Sequence, residues 1–155
     1  MEIGDLITPA SVVARLKASG KKQLLQDLSR RAAEFVGLHE RQIFDALLER
    51  ERLGSTGVGS GIAIPHAKLA GLKRLHGLFA RLESPVDFKA VDDQPVDLIF
   101  LLLAPESAGA DHLKALARVS RLLRDRHVCE KLRGAEHPDA LYALLTEPQA
   151  SPYAA

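Results

Sequence analysis

The feature that most constrains the fold is an apolar run near the middle of the chain. Seven consecutive apolar residues extend from Leu98 to Ala104, and they predict a strand at Val96–Leu103 that Ala104-Pro105 breaks. Continuous apolar strands are typical of sheets that helices cover on both faces. The run is far shorter than the ~20 residues that span a bilayer. It therefore predicts the central strand of an α/β domain and no membrane insertion.

Apolar residues at helical spacing precede and follow this strand. The first predicted helix carries the stripe Leu24, Leu25, Leu28, Ala32, Phe35 and Val36 and ends at Gly37. Further helices are predicted at 40–52, 110–124, 128–133 and 138–146, and a second strand at 75–82, ended by Glu83-Ser84-Pro85. In helix 110–124 the predicted inward residues are Leu113, Leu116, Ala117, Val119, Leu122 and Leu123. This order of elements indicates one α/β domain.

Composition excludes several classes of protein. The chain has 155 residues, 46% hydrophobic and 26% charged, with a formal net charge of +1. These are values of an ordinary globular domain, and the low net charge argues against a nucleic-acid binder. A single cysteine, Cys129, can form no internal disulfide, which favours a reducing compartment. The N-terminus lacks the basic start and apolar core of a signal peptide, so we predict a cytoplasmic protein.

One cluster of charge stands apart from this balance. Lys114, Arg118 and Arg121 are spaced by four and then three residues, which places them on one face of helix 110–124. Such a basic stripe could dock an acidic partner. The chain lacks the interleaved aromatic residues of a nucleic-acid surface, and a solvated helix face is the favoured interpretation.

The stretch Leu53–Lys68, LGSTGVGSGIAIPHAK, has the composition of a reactive-site loop. Its glycines allow the backbone to approach a ligand closely or to adopt positive φ. Ile62–Ile64 is a candidate brief buried strand, and Pro65 restricts the backbone immediately before His66. A positioned imidazole beside free backbone N–H groups suits chemistry on an anion. The residues whose amides are candidate phosphate donors are Gly57, Val58, Gly59 and Ser60.

Two further residues are candidates because of their positions. His112 falls in the first turn of the helix after the central strand, where N–H groups and the helix dipole favour anions. Arg50 lies near the end of helix 40–52 and has a permanent charge that can make forked contacts with phosphate. If His66 and His112 converge, one could be the nucleophile while the other stabilises the transferred charge. Spacing alone leaves convergence open.

Other kinds of site are disfavoured by spacing. No Gly-Lys-Ser/Thr follows the glycines, and Gly57-x-Gly59 is not completed by a glycine at position 62, so neither nucleotide-binding signature is present. The remaining histidines lack zinc-ligand spacing or neighbouring cysteines, so no metal and no cofactor are implied. We interpret them as surface or packing residues; they are His39, His76, His127 and His137.

These motifs closely resemble a known family. ERERLGSTGVGSGIAIPHAK resembles the phosphorylation-site signature of enzyme IIA domains of the fructose–mannitol class in the bacterial phosphotransferase system. The likeness extends to the opening ITP, to SPVDFKAVDDQPVDLIFLLLAPE and to His112-Leu113, and it is strongest with the nitrogen-regulatory enzyme IIA proteins. The chain departs from the mannitol branch at Ser60, where that branch has an acidic residue, and has Ala67 where glycine is frequent.

The resemblance implies a fold and a reaction. It implies a type-2 enzyme IIA domain at residues 1–148, an α/β/α sandwich with a mixed central sheet, followed by a flexible tail at 149–155. It carries His66 over as the phosphorylated residue and maps Arg50 and His112 onto the active centre. The implied donor is an HPr-like phosphocarrier protein (NPr), and the implied targets are regulated proteins such as potassium transporters or sensor kinases.

Three functions stay open at this point. The favoured one is a phosphoryl carrier that regulates proteins by its phosphorylation state. A sugar-specific enzyme IIA would use the same chemistry to pass phosphate to an enzyme IIB. A binding module that retains the fold without transfer is the third possibility, and intact His66, Arg50 and His112 argue against it.

Overall fold

The computed structural model describes residues 1–148, so the tail predicted at 149–155 lies outside the described residues. Within residues 1–148 the chain forms six strands and five α-helices. The strands are β1 (Val12–Leu16), β2 (Gly57–Gly59), β3 (Ile62–Ala63), β4 (His66–Leu69), β5 (His76–Val86) and β6 (Val96–Pro105). The helices are α1 (Lys21–Val36), α2 (Glu40–Arg52), α3 (Ala110–Leu123), α4 (Arg126–Gly134) and α5 (Pro138–Thr146).

The strands form one mixed sheet. Their order is β1-β5-β6-β3-β2, with β4 also paired to β6. The pairs β1/β5, β3/β6 and β4/β6 are parallel, whereas β5/β6 and β2/β3 are antiparallel. The prediction of a mixed central sheet is confirmed, and β6 is the central strand that its apolar run predicted.

Helices cover both faces of this sheet. Successive residues of β6 point to opposite faces, and Leu98 to Ala104 are all buried. On one face Ile99, Leu101 and Leu103 join a core with α1 and α2. On the other, Leu98, Phe100 and Leu102 join a core with α3, α4 and α5. This arrangement confirms the α/β/α sandwich, and it explains why β6 has apolar side chains on both faces.

Strands β3 and β4 pair one after the other with β6, both in the parallel direction. Ile62 pairs with Leu98 and His66 pairs with Leu102, so the register is unchanged across the interruption. Pro65 lies at the interruption; its ring leaves no N–H for the ladder, but its carbonyl accepts the Leu102 N–H at 2.9 Å. The proline thus separates the two strands without shifting the register of His66.

Several strand predictions are wrong in extent. β5 continues through Pro85 to Val86, because a register shift between Arg81 and Val86 accommodates a residue that lacks an N–H. β6 continues to Pro105, where Leu69 of β4 pairs with it. β1 and β4 were not predicted as strands, because each is short and gains its stability from a partner strand distant in sequence.

The predicted inward face of α3 is also partly wrong. Leu113 is 67% exposed and Ala117 is exposed, whereas His112 is buried. The inward face is defined by His112, Ala115, Val119 and Leu122, which recur at helical spacing. Leu113 lies one position, about 100° of rotation, from this face. The spacing of apolar residues alone did not show which of these two faces of α3 points inward.

The basic stripe is divided by the same packing. Arg118 of α3 is mostly buried and donates to a Glu2 carboxylate oxygen at 2.7 Å, whereas Lys114 and Arg121 are exposed. The ion pair joins the N-terminal segment to α3. The stripe is therefore not a uniform cationic surface.

The glycine-rich stretch forms a β-hairpin rather than an open loop. β2 and β3 are joined by Ser60 and Gly61, both with positive φ, as a two-residue type I′ turn requires. Gly57 is needed for a different reason. A Cβ atom at this position would lie 2.7 Å from the Ala90 Cβ and 2.8 Å from the Ala90 Cα. The hairpin therefore packs tightly against the segment that follows β5.

We predict that Gly57→Ala will reduce the free energy of unfolding by about 1–3 kcal/mol, the usual cost of overpacking. The added methyl group meets the Ala90 backbone, which cannot move aside as a flexible side chain would. Denaturant unfolding measures the effect. Gly134→Ala is the matched control, because nothing lies within 4 Å of the position that its Cβ atom would occupy and alanine favours the helix. Equal stability of the Gly57 variant and the wild-type protein would contradict this packing.

Candidate functional site

His66 is the first residue of β4 and lies beside Pro65 at the interruption of the β6 pairing. Its Nδ1 atom is 2.8 Å from the Ile64 carbonyl oxygen. On the other side of the ring, the Arg50 Nε–H donates to His66 Nε2 at 3.3 Å. A carbonyl can only accept and a guanidinium can only donate, so Nδ1 carries the proton and Nε2 has the free lone pair. The site thus presents one defined nitrogen as a nucleophile.

Arg50 is held in place by a second contact. Its Nη1 donates to the Gly54 carbonyl at 2.9 Å, four residues further along the chain. The guanidinium therefore bridges the start of the glycine-rich stretch and the His66 ring. The predicted proximity of Arg50 to His66 is seen in the structure.

His112 approaches the same ring from α3. The centroids of the His66 and His112 rings are 5.6 Å apart, and the ring planes are inclined by 51°. His112 is only 7% exposed, and its Nδ1 is buried without a hydrogen-bond partner among the described residues. The convergence that spacing left open therefore occurs, and it places an unsatisfied polar atom beside the pocket.

The three side chains line one open pocket with a volume of about 520 Å³. Arg50 comes from α2, His66 from β4 and His112 from the first turn of α3. Sequence reasoning missed Lys68, whose cationic side chain also lines this pocket. The remaining lining residues are Ala46, Glu49, Leu53 and Ala67. Two cationic side chains against one carboxylate, Glu49, and the N-terminal turn of a helix give the pocket a positive character that suits a phosphoryl group.

Burial keeps both histidines neutral. The pKa of His66 is lowered because burial disfavours the imidazolium, and the Arg50 charge lowers it further, while the hydrogen bond to Ile64 and the Glu51 carboxylate oppose the change. Burial also lowers the pKa of His112, with smaller effects from His66 and Lys68. At neutral pH the His66 lone pair is therefore available.

Two of the four candidate hairpin amides donate to groups outside the His66 pocket. The Gly57 N–H donates to Ser55 Oγ at 3.0 Å and the Ser60 N–H donates to an Asp92 carboxylate oxygen at 2.9 Å. Val58, Gly59 and Ser60 line a separate cavity of about 400 Å³ against α3 and α4. Phosphate binding by these amides stays a prediction, and the His66 pocket does not include them.

A buried carboxylate beside Arg50 was also missed. Glu51 is 8% exposed and accepts hydrogen bonds from the Thr56 N–H and hydroxyl groups. The sequence contained a signal for it, because Glu51 follows the inward residues Phe44 and Leu47 at helical spacing. Charged side chains are almost never fully buried unless they are paired, so the charge of Glu51 outweighed this signal.

The described residues contain no cluster of three or more His, Cys, Asp or Glu side chains placed to hold a metal ion. Nor does any helix within residues 1–148 have the length and apolar character needed to cross a membrane. Within the part of the chain that the structure describes, a ligand in this pocket would contact the side chains of the lining residues and the first turn of α3.

The sequence profile described as "Phosphoenolpyruvate-dependent sugar phosphotransferase system, EIIA 2" matches residues 5–147. The chain belongs to this family. The match spans every strand and helix of the sandwich. The resemblance inferred from the phosphorylation-site signature is confirmed, and phosphotransfer is the general function of such EIIA domains.

Within the family the chain is similar to nitrogen regulatory members and, at lower identity, to a fructose-specific member. It is 55% identical over 151 residues to the nitrogen regulatory protein of Bradyrhizobium diazoefficiens, covering 97% of this chain and 99% of that protein. The crystal structure of nitrogen regulatory protein IIA-Ntr from Neisseria meningitidis superposes with a TM-score of 0.88 at 35% identity, covering 93% of this chain and 99% of that one. The chain is 37% identical to the fructose-specific EIIA component of Haloferax volcanii, over 95% of this chain and 98% of that one.

We predict that Arg50→Gln will raise the pKa of His66 towards its usual value of about 6.5. Removing the guanidinium removes a positive charge that disfavours the imidazolium, whereas burial of the ring persists. Histidine-selective NMR titration measures the midpoint. Arg52→Gln is the matched control, since Arg52 is exposed and pairs with Glu49. An unchanged midpoint in Arg50→Gln, or an equal change in both variants, would show that Arg50 does not act on His66 electrostatically.

Proposed function

We propose that this chain is a phosphoryl carrier of the nitrogen-regulatory branch, phosphorylated on Nε2 of His66 by an HPr-like phosphocarrier protein (NPr). One observation carries the proposal. His66 presents an unprotonated Nε2 to an open pocket, with Arg50 Nε at 3.3 Å, while the Ile64 carbonyl holds the Nδ1 proton. The reaction needs this tautomer, because a protonated Nε2 has no lone pair to attack phosphorus.

In the proposed step the His66 Nε2 lone pair attacks the phosphorus atom of the donor's phosphohistidine. A new P–N bond forms as the P–N bond to the donor imidazole breaks, and the donor nitrogen keeps that electron pair. The Nδ1 proton of His66 stays on its hydrogen bond to Ile64, which stabilises the positive charge that develops on the ring. No other group is consumed, so the transfer is reversible.

Arg50 and His112 act on the transferred group. The transition state is loose and spreads charge over the equatorial oxygens, so positioning and electrostatic stabilisation supply the rate. Arg50 exchanges its contact with Nε2 for contacts with these oxygens. His112 lies at the N-terminal turn of α3 and is neutral, so one ring N–H can donate to an oxygen without the cost of an imidazolium at a helix N-terminus.

Phosphorylation would change the surface that partners contact. Leu53, which is 83% exposed, lines the pocket, and Leu113, which is 67% exposed, follows the pocket residue His112 in the chain. Adding roughly −1.5 to −2 charge at His66 converts an apolar, cationic surface into an anionic one. We propose that target proteins, of the kinds implied by the resemblance such as potassium transporters or sensor kinases, bind one of the two states. The reaction would take place in the cytoplasm.

The sugar branch is the second candidate, because the chain is also similar to a fructose-specific EIIA component. In the sugar branch this chain would accept phosphate on His66 and pass it to an enzyme IIB. The identity of 55% to a nitrogen regulatory protein against 37% to the fructose-specific component favours the nitrogen branch. Donor preference distinguishes the two.

We predict acid-labile, hydroxide-stable labelling of the protein by phosphoenolpyruvate, enzyme I and NPr, with faster labelling than by the sugar-system carrier. His66→Ala should abolish the label, and Arg50→Ala and His112→Ala should each slow transfer by roughly 100-fold, as loss of one stabilising group does. His76→Ala is the control, because His76 also has a pKa lowered by burial but lies outside the pocket.

Other labelling results would indicate a different function or a different phosphorylated residue. Preferential labelling by the sugar-system carrier, followed by transfer to an enzyme IIB, would assign the sugar branch. Absence of label from either donor in the folded wild-type protein would overturn the carrier proposal and favour a binding module of the same fold. Label that persists in His66→Ala would move the phosphorylation site to another residue.

A further inference from the structure

Glu51 is a buried carboxylate with three donors. Its Oε1 atom accepts from the Thr56 N–H at 3.0 Å and from the Lys21 Nζ at 2.9 Å, and its Oε2 atom accepts from the Thr56 hydroxyl. The Glu51 side chain is 4% exposed and the Lys21 side chain 21% exposed. Lys21 also lies over the Phe88 ring, 4.6 Å from its centroid. A buried charge with so many partners fixes the position of whatever it binds.

A chain of hydrogen bonds leads from this carboxylate to the phosphorylation site. Thr56, which Glu51 holds by two bonds, accepts the Ile64 N–H on its carbonyl at 3.0 Å. The Ile64 carbonyl in turn accepts the His66 Nδ1 proton at 2.8 Å. The N–H and C=O groups of Thr56 and of Ile64 belong to successive peptide groups joined at one Cα atom, so fixing Thr56 also fixes where the Ile64 carbonyl lies beside the His66 ring.

A second path joins Glu51 to the other side of the His66 ring. The Glu51 backbone carbonyl accepts the Gly54 N–H at 3.1 Å, and the Gly54 carbonyl accepts a hydrogen bond from Arg50 Nη1 at 2.9 Å. Arg50 Nε then contacts His66 Nε2. Short paths of hydrogen bonds therefore connect the end of α2 to both ring nitrogens of His66. Glu51 takes part in the first path through its carboxylate and in the second through its backbone carbonyl.

We propose that Glu51 is a positioning residue: through Thr56 and Ile64 it holds His66 in the Nδ1–H tautomer, with Nε2 directed to the phosphoryl donor. This role extends the proposed function. Only the predicted effect of Glu51 on phosphoryl transfer rests on that function. Lys21 is the counter-ion that makes a buried carboxylate tolerable at this position. Glu51 touches neither the ring nor the phosphoryl group, so it acts entirely through the residues that it orients.

The charges around His66 set the electrostatic effect of Glu51. The charged and titratable groups that line the pocket with His66 are Glu49 and Arg50 from α2, Lys68 from β4 and His112 from α3. Glu51 lies behind the pocket on α2, and its charge raises the pKa of His66, opposing burial and Arg50. Removing its charge should therefore lower the pKa of His66 further, opposite in sign to the change expected for Arg50→Gln.

The test uses Glu51→Gln, Thr56→Val and Thr56→Ser, with Asp45→Asn as the matched control. Glutamine has a single acceptor oxygen for three donors, valine removes the hydroxyl, and serine restores it. Asp45 is an exposed carboxylate on α2 that pairs with Arg41 and lies outside the His66 pocket, so its substitution changes net charge without touching the network. Ring-nitrogen NMR of the unphosphorylated protein reports the tautomer and pKa of His66, and thermal unfolding reports stability.

We expect one His66 tautomer in the wild-type protein, in Asp45→Asn and in Thr56→Ser, and a mixture of both tautomers in Glu51→Gln and Thr56→Val. Phosphoryl transfer to these last two variants should be slower by roughly 10- to 100-fold, the usual cost of losing an orienting partner. The pKa of His66 should fall in Glu51→Gln and remain unchanged in Asp45→Asn.

A folded Glu51→Gln protein with the wild-type tautomer and pKa would overturn the positioning role. If Glu51→Gln does not fold, the comparison of Thr56→Val with Thr56→Ser tests the proposal instead. Equal ratios of the two His66 tautomers in these variants would overturn it. Absence of phosphorylation in the wild-type protein would instead refute the proposed function. The tautomer measurement does not depend on transfer, so the two failures are distinguishable.

Discussion

The pairing of β3 and β4 along the central strand β6 is the constraint on which the site depends. β6 is held between antiparallel β5 and these two parallel half-strands, with helices packed on both faces. A slip of one residue would direct every side chain of a strand to the opposite face, so core packing fixes the register strongly. Pro65 interrupts the ladder between the halves, and His66 follows where the backbone is already aligned with Leu102. The imidazole is therefore positioned by the core.

The layers of the sandwich supply different parts of the pocket. The sheet provides the nucleophile at His66, the layer of α1 and α2 provides Arg50, and the layer of α3 provides His112. No single element contains more than one of them. Their separations are consequently set by how far each helix packs from the sheet, which the apolar cores determine.

Much of this could be predicted from the sequence, for identifiable reasons. The apolar run of β6 and the stripes of α1 and α2 are strong because many residues repeat the same pattern. His66 was found because Pro65 and the glycines are specific local signals. The face of α3 was misjudged because Leu113 and Ala117 are apolar but point outward. Glu51 was overlooked because a charged residue in a charged segment is ordinarily solvated, and only a partner distant in sequence, Lys21, makes its burial possible.

The sequence by itself determined the α/β class, the central strand, the family and the candidate residues His66, Arg50 and His112, because these depend on composition, periodicity and short motifs. The tertiary structure alone decided that the two histidine rings lie 5.6 Å apart and that Val58, Gly59 and Ser60 line another cavity. It also decided the His66 tautomer, which depends on Arg50 and Ile64 lying on opposite sides of the ring. Distances between side chains on separate elements follow from packing, and no local pattern encodes them.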